Sequence, residues 1–221
     1  MSLHLYYHPF SSYSQKALVA LYEHELPFER EVLAGPDSPA TQALARMWPM
    51  KRFPVLVDGD RTILEASCVV EYLDGLVPAG RRLIPEDRAL ALEVRMWDRV
   101  FDNYLSTPQQ KVVFDALRPE GSRDPYGVDE ARRMLDTSYA WIEARMGGEG
   151  REWVVGDRFT LADCAAAPFL FYAHWTHPIA DAYPHVLAYR RRLLARPSFA
   201  RCVDEARPFR SYFPLGAPDA D

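Results

Sequence analysis

The stretch that decides the fold is LHLYYHPFSSYSQKALVALYEH, residues 3–24. Its first five residues alternate apolar side chains as a half-buried strand requires, and Pro9 with Ser11 and Ser12 then breaks the pattern. From Ser12 onward Ala17, Leu18, Leu21 and Tyr22 share one helical face, and the serines are placed to cap the free N–H groups at the helix start. The unit is strand, loop, helix. Pro27 ends it, residues 28–33 form a second strand, and Ser38-Pro39 opens a short helix through Met47, because proline is tolerated at the first helical position. Next comes FPVLVDGDRTIL, residues 53–64, two β-rich runs around Asp58-Gly59 and therefore a hairpin. A helix over 65–76 follows it. The order βαβα then ββα predicts a small sheet with two kinds of strand pairing and helices packed on it.

Beyond residue 77 the character changes. Residues 77–85 hold two prolines and a glycine and read as a linker. The periodicity then predicts only helices, over about 86–117 with a kink at Pro108, then 128–146, 160–175, 184–195 and 198–206. Residues 207–221 hold three prolines and no helical period, so they form a tail that frays or lies back on the body. No internal repeat or low-complexity segment is present.

The chain of 221 residues is 48% hydrophobic and 26% charged, a composition that supports a packed core rather than disorder. A net charge of −5 gives no support to a nucleic-acid partner, which would call for a basic face. Cys68, Cys164 and Cys202 are an odd count without CxxC spacing, which reads as reduced thiols in the cytosol. The first fifteen residues lack the charged start and apolar core of a signal peptide, so export is not expected. The longest apolar stretch, residues 164–173, contains Pro168 and is about half of what spans a bilayer, so no membrane association is expected.

Four segments stand out. They are Ser11-Ser12-Tyr13-Ser14-Gln15-Lys16, Arg52-Phe53-Pro54-Val55-Leu56, Glu65-Ala66-Ser67, and Gly156-Asp157-Arg158-Phe159-Thr160-Leu161-Ala162-Asp163. In this order, and across nearly the whole chain, they resemble the glutathione S-transferase family, most closely its bacterial members and its serine-using theta and zeta groups. The resemblance implies an α+β fold class, with a thioredoxin-like glutathione-binding domain over 1–77, a linker over 78–85, an all-α domain over 86–206 that contributes the co-substrate site, and a tail over 207–221. It also implies a cytoplasmic homodimer.

The first segment has a reading of its own. A hydroxyl at a helix N-terminus, beside unpaired N–H groups and the positive end of the dipole, stabilises a bound thiolate. Half-ionising a thiol of ordinary pKa at pH 7 requires about 1.5 units, or roughly 2 kcal/mol. One hydrogen bond to a charged group supplies about 1.5 to 3 kcal/mol and the helix terminus about 0.3 to 1 more. No metal or histidine base is needed. Ser11 is the candidate donor, and its plain structural alternative is a helix cap. Tyr7 is its rival, since other branches of the family use a tyrosine near the end of this strand.

The remaining site residues follow from the resemblance. It implies a cis bond before Pro54 and a Phe53 backbone that pairs with the cysteinyl part of glutathione like an added strand. Arg52 is expected at the glycyl carboxylate, and Glu65 with the Ala66 N–H at the γ-glutamyl end. Relatives usually have serine where this chain has Ala66, and Ser67 is the candidate replacement hydroxyl. Thr160 and Asp163 read as a capping-box variant with a structural role. For the co-substrate pocket the candidates are Phe101, Tyr104, His174 and Trp175, with Phe209, Tyr212 and Phe213 beside them. His174 and His177 lack nearby carboxylates in sequence, so no metal is expected.

The leading expectation is a transferase that ionises bound glutathione for attack on an apolar electrophile. The alternatives are an isomerase or dehalogenase using the same thiolate, and a non-catalytic binding protein on the same fold. A thiol-disulfide oxidoreductase is disfavoured, because Ser11 stands where such relatives keep a cysteine. Met47-Trp48-Pro49-Met50 places large apolar side chains in a loop, and Trp48 is expected to help form the dimer contact.

Overall fold

The computed structural model describes residues 2–148, 150–219 and 221. The N-terminal half runs β1 (Leu3–Tyr7), α1 (Ser12–His24), β2 (Phe28–Val32), α2 (Pro39–Met47), β3 (Val55–Asp58), β4 (Arg61–Ile63) and α3 (Ala66–Asp74). The sheet order is β2-β1-β3-β4, with β1 parallel to β2 and antiparallel to β3, and β3 antiparallel to β4. Both expected kinds of pairing are therefore present. Leu3, Leu5 and Tyr7 of β1 are buried while the residues between them are only partly so, as the alternation predicts. Helices α1 and α3 pack on each other, and α1 also meets α7 and α9 of the second half. A smaller cluster of Leu33, Leu44 and Val55 forms around α2, and Trp48 packs against it. Trp48 is therefore half-buried on its own domain.

A turn over 79–81 leads into the helical half, anchored by Asp74. Its Oδ1 takes His24 Nε2 at 2.8 Å and the Leu83 N–H at 2.9 Å, and its Oδ2 takes the Ile84 N–H at 2.8 Å. The helices are α4 (Arg88–Phe101), α5 (Thr107–Ala116), α6 (Pro125–Gly147), α7 (Leu161–Thr176), α8 (Pro184–Ala195) and α9 (Pro197–Ala206). Helix α7 is buried along almost its whole length and forms the centre. One hydrophobic core runs continuously from β1 and α1 through α4 and α7 to α9. None of the described helices is long and apolar enough to cross a membrane.

The single helix expected over 86–117 is broken earlier than Pro108. A π-helical turn, Asp102–Ser106, separates α4 from α5, and the Thr107 N–H reaches back five residues to the Asp102 carbonyl. Pro108 is the cause. It has no N–H to give the carbonyl of Tyr104, four residues back, and its ring would collide with that carbonyl in a regular helix. The Tyr104 carbonyl instead accepts from the Ser138 hydroxyl of α6 at 2.7 Å. The tail lies back on the body. A short 3₁₀ turn, Arg207–Tyr212, follows α9, Phe213 is buried against Trp175 with ring centroids 5.4 Å apart, and Asp221 pairs with Arg207 and Arg210.

Candidate active site

Ser11 ends the loop after β1 and is the N-cap of α1. Its hydroxyl accepts from the Ser14 N–H at 3.3 Å, its own N–H donates to the His8 carbonyl at 3.0 Å, and its carbonyl takes the Gln15 N–H at 2.8 Å. Gln15 Nε2 donates to the Pro9 carbonyl at 2.9 Å and to the Tyr172 hydroxyl at 3.1 Å, which ties the loop to α7. A hydroxyl that accepts from the backbone still has its proton to give, and no described residue takes the proton of Ser11. Burial pushes the His8 imidazole below its ordinary pKa, so it adds no charge beside this loop at neutral pH.

Two further segments converge on Ser11. The Phe53–Pro54 peptide is cis, as the resemblance implies. Glu65 caps α3 with φ +66°, a left-handed conformation that costs a residue with a side chain about 1–3 kcal/mol. Its carboxylate makes no cap bond. Ser11, Arg52, Phe53, Pro54, Glu65 and Ala66 line one cleft of about 550 Å³. Lys51 and Arg52, both exposed, give it two cations and Glu65 gives it an anion. A wider, open depression of about 810 Å³ between α3 and the start of α4 contains none of these residues.

Ser67 is the exception among the expected glutathione ligands. It does not line the cleft, and its hydroxyl belongs to a cluster of charges between the two halves. Lys16, fully buried on α1, places Nζ 2.8 Å from Ser67 Oγ, 2.5 Å from Asp98 Oδ1 and 2.9 Å from Asp102 Oδ1. Ser67 donates to Asp98 Oδ2 at 2.8 Å and also accepts from Arg99. One donor and two acceptor positions are all that a hydroxyl has, so Ser67 has nothing left for a ligand. Burial pushes the Asp102 carboxyl above its ordinary range, against the pull of Lys16.

The cleft is further lined by Gln109, Gln110, Val113 and Phe114 of α5 with Leu117 at its C-cap, by Tyr172 of α7, by Tyr212 and Phe213 of the tail, and by Trp48 among others. Of the expected co-substrate residues, Tyr212 and Phe213 are there. The others are not. Phe101 is fully buried against Trp97, Tyr104 is exposed outside the cleft, and Trp175 packs under Phe213 and Arg210. His174 Nδ1 accepts from the Ile179 N–H at 3.1 Å, and Phe209 meets His8 edge to face. Tyr7 does not line the cleft either; it is buried in the sheet, and its hydroxyl accepts from Arg30 at 3.1 Å. Burial is the main cause that raises its phenol pKa. The α5 residues recur at i, i+1, i+4, i+5 and i+8, a helical stripe visible in the sequence. Reading the segment as one regular helix hides which side that stripe faces.

The sequence matches the family models described as the N-terminal domain of glutathione S-transferase over residues 5–81 and its C-terminal domain over residues 125–192. Glutathione S-transferase 3 of Zea mays is 30% identical over 162 residues, covering 70% of this chain and 72% of the maize protein. The chain belongs to the glutathione S-transferase family. A probable maleylacetoacetate isomerase of Vibrio cholerae is 28% identical and covers 94% of this chain and 98% of its own. The crystal structure of a glutathione S-transferase from Methylobacterium radiotolerans in complex with glutathione sulfonate superposes with a TM-score of 0.79 at 31% identity, covering 92% of this chain and 95% of the other. Glu65 is followed by alanine in this chain, and the next hydroxyl, Ser67, is committed to the charge cluster between the domains.

Proposed function

We propose that this chain is a glutathione transferase in which Ser11 donates its hydroxyl proton to the sulfur of bound glutathione and holds it as the thiolate. The observation that carries this reading is the unassigned proton of Ser11, at a helix N-terminus and inside the cleft. In this reading Arg52 meets the glycyl carboxylate, Glu65 and the Ala66 N–H hold the γ-glutamyl end, and the Phe53 backbone pairs with the cysteinyl residue. Without a hydroxyl at position 66, Glu65 and the Ala66 N–H carry the γ-glutamyl end, and both line the cleft. The thiolate then attacks an electrophilic carbon held against α5, and the protein acts in the cytoplasm as a homodimer.

The test is the thiolate absorbance of the glutathione complex titrated against pH, with conjugation of a chromogenic aryl halide measured in parallel. A midpoint well below that of free glutathione, lost in Ser11→Ala, supports the assignment. Retention on glutathione resin without turnover of any electrophile would make the chain a binding protein instead. An isomerase that uses the same thiolate is the second reading, favoured by the name of the Vibrio cholerae relative. It is separated from the first by turnover of a cis-configured enone diacid without net consumption of glutathione.

A further inference from the structure

We propose that Gln109 is the hydrogen-bond donor to the co-substrate, and that the transferase therefore favours uncharged electrophiles whose attacked carbon is conjugated to a carbonyl. This rests on the transferase reading above and adds the class of its second substrate.

Gln109 is only 6% exposed, and it lines the cleft. Its primary amide carries two donors and an acceptor, yet no described residue bonds to it. Its stem is buried while its amide is not among the sealed, unpartnered polar atoms of the described residues, so the amide opens onto the cleft and takes its partner there. Gln110 is different, because its Nε2 already donates to the Ser106 hydroxyl at 3.3 Å. The other α5 residues of the wall, Val113, Phe114 and Leu117, are apolar. The cation of that helix, Lys111, pairs with Asp124 and does not line the cleft. An apolar body therefore suits this wall, a single polar group suits Gln109, and a carboxylate meets no positive charge on α5.

The chemistry selects which polar group it is. When the glutathione sulfur adds to the β-carbon of an enone, its electron pair forms the S–C bond. The carbon–carbon π pair shifts toward the carbonyl carbon, and the carbonyl π pair moves onto oxygen. The enolate oxygen then accepts the Gln109 N–H, and the α-carbon takes a proton from water, replacing the one the thiol released to solvent on ionising. A donor fixed before the reaction stabilises charge that develops during it. Displacement of chloride from an alkyl carbon develops no charge on such an oxygen and gains nothing from Gln109.

The experiment compares kcat/KM for 4-phenyl-3-buten-2-one with that for benzyl chloride, both with glutathione, in the wild type, Gln109→Met and Gln109→Glu. The ratio of enone to benzyl chloride should fall at least tenfold in both variants. Glutamate keeps the shape and polarity of the position while its carboxylate donates nothing, so it reports even where methionine disturbs folding. An unchanged ratio in a folded variant overturns the role of Gln109 and leaves the transferase reading standing. A wild type that shows no thiolate absorbance with glutathione and turns over neither electrophile overturns the transferase reading, and this one with it.

Discussion

At the scale of single residues, the division of labour around glutathione makes separable predictions. Ser11→Ala should lower kcat/KM about thirtyfold, roughly 2 kcal/mol of transition-state stabilisation, with little change in glutathione binding. Tyr7→Phe should leave the thiolate midpoint in place and show only in stability, by no more than about 1.5 kcal/mol, since its hydroxyl only accepts from Arg30. Steady-state kinetics on both variants checks the pair, and a reversed outcome would move the donor to Tyr7. Replacing Arg52 or Glu65 by alanine should instead raise the KM for glutathione and spare the ionisation. A midpoint displaced as far by Glu65→Ala as by Ser11→Ala would contradict that division. Ser11 was legible in the sequence because it sits at a helix start, where local backbone rules apply, whereas Arg52 and Glu65 were legible only through the resemblance to the family. Ser67 was not. Its partners Lys16, Asp98 and Arg99 lie 31 to 51 residues away in the chain, and no local rule brings them together.

At the scale of elements, the start of α7 carries the sharpest consequence. Asp163 is fully buried; its Oδ2 takes the Thr160 N–H at 2.8 Å and the Thr160 hydroxyl at 2.9 Å, and its Oδ1 takes the Val154 N–H at 3.2 Å and the hydroxyl of Tyr189. The reciprocal cap expected from Thr160 and Asp163 is thus extended to a loop and to α8. Asp163→Ala strands several buried donors at once and should cost at least about 3 kcal/mol in urea unfolding. Burial pushes the carboxyl up to about 6, while the hydrogen bonds hold it down. Between pH about 4 and 6 the native state therefore holds more of this proton than the unfolded chain does, and this group makes stability fall as pH rises. Urea midpoints at pH 4, 5 and 6 should show that fall in the wild type and a shallower one in Asp163→Asn. A steeper fall in the variant would refute the sign. Element order was readable from periodicity alone, since strands and helices of this length announce their period. The π turn was not readable, because the collision that Pro108 creates can be relieved by a kink, a break or a wider turn. Ser138, far along in α6, supplies the bond that makes the wider turn workable.

At the scale of the whole molecule, a sheet of four short strands is marginal alone, and the continuous core shared with the helical half supplies what it lacks. Leu92 and Met96, one turn apart on α4, remain exposed at 69% and 46%. Sedimentation equilibrium at micromolar concentration should give a C2 homodimer of twice 25.3 kDa. Trp48, half-buried beside α2, is expected at that contact, so Trp48→Ala should weaken the dimer; an equally tight mutant dimer would remove Trp48 from the interface. The cleft depends on the same assembly of halves, because its glutathione side comes from loops of the sheet and its other side from α5, whose direction is set by the turn at Asp102–Ser106. That turn holds one residue more than a regular one would, and each residue of an α-helix advances about 100°. A lineage that lost a single codon there would turn the five-residue reach of Thr107 into an ordinary four-residue one and leave every α5 side chain facing as it does. The proline ring would then meet the carbonyl four residues before it with no slack left in the turn, so the surplus residue is what lets a proline stand at the head of the cleft wall.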